Sequence, residues 1–124
     1  MTTIRNTAIN ILERRIKLIN ARMETIQEYL TTDPKLFIRS YTEEYYSMIQ
    51  DLDQLTDILN YINSQTENDD QVISYLNNIK TGYLDFLVRR PLMESSSSPM
   101  HSLTTLWDND STQRIIRLID NILL

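Results

Sequence analysis

The sequence has no cysteine, one glycine and three prolines among its 124 residues. Without cysteine there is no disulfide framework, no thiolate zinc site and no thiol nucleophile. An all-β chain needs a turn about every 8–12 residues, and turns draw heavily on glycine and proline. Four such residues do not supply them. A phosphate-cradling loop needs several glycines, and Gly82 is alone. The single histidine, His101, leaves no His-rich metal site. Long apolar runs are missing too: nothing approaches the roughly 20 residues of a membrane span. Charges also interrupt the N-terminal segment before a signal-peptide core forms. The expectation is an all-α chain that is intracellular (cytoplasmic or nuclear) or intravirion, with no membrane partner.

Lys and Arg total 12 against 17 Asp and Glu, a net charge of −5. That balance argues against nucleic acid, whose backbone calls for a concentrated basic face. Sixteen isoleucines and ten asparagines suggest AT-rich coding, as in many viruses and phages.

What is present is helical periodicity. Ile9, Leu12, Ile16, Ile19, Met23, Ile26 and Leu30 alternate in steps of 3 and 4, a heptad seam. Ile38, Tyr41, Tyr45, Met48, Leu52, Leu55, Leu59 and Ile62 repeat the pattern. Between them, Asp33-Pro34 reads as an N-cap followed by a first helical residue. The spacing predicts two long helices over 3–64, folded back as an antiparallel, coiled-coil-like hairpin. Charge supports the same pairing. Residues 1–22 carry five bases and one acid, and residues 40–79 carry eight acids and no base. The register that packs Ile26 near Ile38 sets Arg22 beside Glu44 and Arg15 beside Asp51, two predicted salt bridges.

A third helix is expected from about Asp70 to Arg89, on the stripe Val72, Leu76, Ile79, Tyr83 and Phe86. Gly82 inside it marks either a close crossing or a kink. Pro91 disfavours helix in the residue before it, so the helix is expected to end near Arg90. This gives a three-helix core over 1–90. Residues 91–109 hold two prolines and the four serines Ser95–Ser98, and read as a linker or arm. Ser98-Pro99 is a candidate modification motif, and His101 a surface histidine. A short apolar helix over 110–124 is predicted to start at Asp110, capped with Gln113 three residues on. The whole is an elongated helical bundle.

For function, no catalytic, cofactor or metal residues are expected. The carboxylates read as solvated faces. Glu67-x-x-Asp70 resembles half of the Mg²⁺ motif of all-helical nucleotide pyrophosphatases, and the other half, Glu-x-x-Glu, is absent from the sequence. A metal-carboxylate nucleotide hydrolase is therefore a remote alternative. The leading expectation is a non-enzymatic protein–protein interaction subunit, structural or adaptor, that binds itself or a larger complex. Seven of the last ten residues are large aliphatics, more than a one-sided surface helix carries. Trp107, Leu103, Leu106, Ile115, Ile116, Ile119, Ile122 and Leu123 are accordingly the predicted partner contacts. A second reading is a small acidic inhibitor that blocks a basic surface through the acids of residues 43–70.

Overall fold

The computed structural model describes residues 3–93 and 99–124, with side chains described outside 88–105. It is all-α. The elements are α1 (Ile4–Thr32), a single turn α2 (Pro34–Leu36), a π-helical turn (Phe37–Tyr41), α3 (Thr42–Gln65), α4 (Asp69–Met93) and α5 (Pro99–Leu123).

The local chemistry of each boundary explains where it falls. Thr3 opens α1, its hydroxyl accepting from the Asn6 N–H at 3.0 Å. Asp33 caps the next segment, accepting from the Leu36 N–H at 3.2 Å, with Pro34 at the first helical position. Asn68 Oδ1 accepts from the Gln71 N–H at 3.0 Å and so starts α4.

α3 lies between α1 and α5, and α5 also packs on α4, which closes back onto α1. Arg5 reaches the Ile62 carbonyl at one end of the α1–α3 pair, and Arg22 reaches Glu44 further along, so the two helices run antiparallel. The core they enclose is aliphatic: Leu12, Ile19 and Ile26 of α1, Met48, Leu55, Ile58 and Ile62 of α3, Val72 and Leu76 of α4, and Ile115, Leu118, Ile119 and Ile122 of α5.

Three expectations change. First, Ile38 is 69% exposed and Phe37 is buried in its place. The π turn spends one extra residue per turn here, which moves the inward-facing position back by one. Second, α4 runs through Pro91 to Met93 rather than stopping at Arg90. A proline this close to a helix end forfeits one bond, to the Leu87 carbonyl, with few turns left to disrupt. Third, α5 begins at Pro99, not at Asp110, so 99–109 is helix where a linker or arm is expected. Pro99 suits a first helical position, where its missing N–H has no intrahelical partner to lose. Asp110, the predicted cap, lies inside this helix, and near it the Thr112 hydroxyl bonds back to the Asp108 carbonyl at 3.0 Å. Ser95–Ser98 lie outside the described residues, as does the His101 side chain.

Gly82 marks no close crossing: its φ is not positive, and a Cβ built there meets nothing within 4 Å.

Candidate functional site

The predicted contact set is largely inside the bundle. Ile115, Ile119 and Ile122 belong to the core, Ile116 is buried, and Leu123 is half-buried against the core. Trp107 is 8% exposed and packs on Tyr46, ring centroids 5.4 Å apart. Beside it the Tyr46 hydroxyl donates to Asp108 at 2.9 Å. Only Leu106, at 55% exposure, stands out to solvent. The Leu103 side chain lies outside the described residues. The reason is length: α5 has 25 residues, enough to run along α3, and its aliphatics find their partners within the chain.

Of the two predicted salt bridges, one forms. Arg22 Nε donates to Glu44 Oε1 at 2.7 Å, its guanidinium lies 5.7 Å from the centre of the Tyr41 ring, and its pKa is raised chiefly by the hydrogen bond to Glu44. Asp51 is not beside Arg15 in a pair. It accepts from Arg114 twice, from Nε at 2.8 Å and from Nη2 at 3.1 Å, and also from the Ser111 hydroxyl. Ser111 and Arg114 are three apart on one face of α5, so a hydroxyl and a planar fork converge on one carboxylate. Exposed Arg15 offers a single flexible side chain against that arrangement.

The result is a basic cleft. Arg15 of α1, Asp51 and Leu55 of α3, and Arg114, Arg117, Leu118 and Asn121 of α5 line a space of about 260 Å³. It continues along α1 into a groove lined by Ile11, Arg14, Arg15, Leu18 and Leu118. Leu18 is 62% exposed. Four arginines thus meet one acid in a chain of net charge −5. Asp51 is committed to Arg114, and among the described residues neither Arg15 nor Arg117 has an ion pair. The floor is apolar: Leu55 and Ile115 are 1% and 2% exposed. Sequence reading missed Arg114 and Arg117. The signal was present, as two bases three apart on the polar edge of an otherwise apolar helix, but their neighbours across the cleft lie about a hundred residues away in α1.

The carboxylates fall elsewhere. Asp69 turns to the start of α1, while Glu67 and Asp70 are exposed on either side of it. Among the described residues no group of three or more Asp, Glu or His side chains is placed to hold a metal ion. Nor is any described helix long and apolar enough to cross a membrane. Of the acids of residues 43–70, Glu44 holds Arg22, Asp51 holds Arg114 and Asp69 holds the α1 backbone, while Glu43, Asp53, Asp57, Glu67 and Asp70 are exposed.

Comparison with protein-family models, with curated proteins and with solved structures finds no match to this chain.

Proposed function

We propose that the chain is a non-enzymatic protein-interaction subunit whose contact surface is the groove between α1 and α5. The observation that carries this reading is the placement of Arg14 and Arg15 beside exposed Leu18, with Arg117 in the adjoining cleft, on a chain of net charge −5. Arginine is enriched at protein contact sites, and the exposed leucine beside it offers apolar surface for a partner to bury. Its complement is an acidic segment of another protein that carries an apolar side chain for the Leu18 position. The aliphatics of α5 act as the scaffold of this surface and not as the surface itself.

The test uses poly-L-glutamate as an acidic probe and follows backbone amide shifts of the folded chain. Shifts concentrated at Ile11, Arg15, Leu18 and Leu118, weakened by salt and lost in R14E/R15E, support the reading. Shifts spread evenly over the surface, or unchanged by R14E/R15E, overturn it. Light scattering on the same samples identifies the partner as a second copy if the chain dimerises with rising concentration and R14E/R15E does not.

A further inference from the structure

Within that groove, the cleft at Arg15, Arg114 and Arg117 has a more specific chemistry. We propose that it binds a phosphoryl group. Three guanidinium groups and the Asn121 amide line one small space, and Asp51 is the one acid among them. Three positive charges against one negative leave +2, which matches the charge of a phosphate dianion. A carboxylate leaves one unit unmatched.

Arg114 is already oriented. Its bidentate grip on Asp51 engages one Nε and one Nη2 hydrogen. A guanidinium carries five, so three remain for a second acceptor. Ser111 also donates to Asp51 Oδ1, the oxygen that accepts from Arg114 Nη2, and Asp51 is only 14% exposed, so the carboxylate anchors the arginine instead of filling the cleft. Arg15 and Arg117 line the cleft from different helices, α1 and α5. Planar forks from two helices suit a tetrahedral oxyanion with several oxygens to accept from them. Leu55, Ile115 and Leu118 beneath them are 1%, 2% and 7% exposed, and a floor of low polarity strengthens charge pairing above it. The space, about 260 Å³, exceeds several water volumes of about 30 Å³ each, so a phosphate enters without repacking of the helices.

This inference shares the groove with the reading above but does not need a protein partner, and its test contains no polypeptide ligand. Inorganic phosphate is titrated into the full chain at constant ionic strength, with chloride and sulfate as controls and amide and arginine Nε–H shifts as the readout. O-phosphoserine and adenosine monophosphate form separate arms, which tell a phosphorylated side chain from a nucleotide as the natural source. The expected result is saturable binding with shifts at Arg15, Arg114, Arg117 and Asn121. In the O-phosphoserine arm binding should tighten as pH rises through about 6, where the monoester dianion forms. Arg117→Ala should weaken it about tenfold, the loss of one charge-assisted hydrogen bond. Both Arg15 and Arg117 are exposed, so their removal leaves the fold intact, with circular dichroism as the check. Arg117→Lys, which keeps the charge and loses the fork, should fall between the two. Phosphate shifts no larger than those of chloride, or binding that survives R15A/R117A unchanged, overturn the proposal. Poly-L-glutamate binding without phosphate binding removes this inference and leaves the protein-partner reading standing.

Discussion

Asp69 and Arg5 tie the start of α1 to α4 and to the end of α3. The Asp69 carboxylate accepts from the backbone N–H of Arg5 at 3.0 Å and of Ile4 at 3.2 Å, across more than sixty residues of sequence. The Arg5 side chain in turn donates to Thr66 Oγ1 at 3.3 Å and to the Ile62 carbonyl at 3.4 Å. One acid thus satisfies two orphan donors at the start of α1, and one base joins the Thr66 hydroxyl on a carbonyl near the end of α3. Asp69→Ala should cost about 1 kcal/mol, the usual worth of a helix cap. Urea unfolding measures it. An unchanged midpoint would mean that the Thr3 cap alone holds α1.

Asp51 selects Arg114 over Arg15, and stability should record that choice. Removing either Asp51 or Arg114 should cost about 2 kcal/mol, the worth of hydrogen bonds to a charged group. The double variant should cost less than the sum, because the two share one interaction. Arg15→Ala should stay within about 0.5 kcal/mol, as for an exposed side chain. A large loss at Arg15 would place Asp51 with the wrong partner. For Arg22 and Glu44, reversing one charge should lower the melting temperature, and reversing both should restore it.

The fold was legible from the sequence wherever a residue's fate depended on neighbours three or four away. The seam of α1 from Ile9 to Ile26, that of α3 from Tyr45 to Ile62, and the Asp33-Pro34 turn are of this kind, whereas Leu30 and Ile38, at the ends beside the turn, are exposed. The Arg22–Glu44 pair, 22 residues apart, followed from the antiparallel register and opposite charges of the two helices. Asp51 was misassigned because its partners lie some sixty residues downstream, where no local pattern reports them. The α5 aliphatics were read as a contact surface because 91–109 was read as a linker. With that segment largely helical, the same residues become core. The basic cleft was half visible: Arg14 and Arg15 stand out on α1, but only the tertiary fold brings Arg117 to them.

The π turn supplies a direct contrast with the heptad expectation. Phe37 is buried and stacks edge-on to Tyr45, centroids 5.4 Å apart, whereas Ile38 points outward. Phe37→Ala should cost about 3 kcal/mol, and Ile38→Ser less than about 0.5 kcal/mol. A straight helix with an unbroken seam predicts a large cost at Ile38. Equilibrium denaturation of the two variants separates these outcomes.

Gly82 offers a stabilising change. It sits inside α4 with open space where a Cβ would go. Alanine there relieves the chain-entropy penalty of a helical glycine and clashes with nothing. Gly82→Ala should raise stability by about 1 kcal/mol, seen as a higher melting temperature by circular dichroism. A loss would mean that the surface at Gly82 is in close contact with another chain in solution.

At high pH the tyrosines on α4 should govern stability. Tyr75 stacks on Tyr61 with centroids 3.8 Å apart, and its pKa is pushed from 10.0 up to about 12. Burial is the main cause, followed by Tyr83, Tyr61 and Asp57, each of which disfavours the phenolate. Tyr83 is raised as well, by burial first and then by Asp57. The neutral phenol is therefore favoured in the folded chain, while the unfolded chain ionises at the ordinary value. The stabilising contribution is complete below pH 10 and is lost as pH climbs from 10 towards 12. Tyr75→Phe removes the ionisable group, so its stability should fall less steeply over that window than that of the parent chain. Tyrosinate absorbance should show one fewer late-titrating residue in the variant than in the parent. If Tyr75→Phe loses stability as steeply as the parent, the shift at Tyr75 is not what limits the fold in alkali.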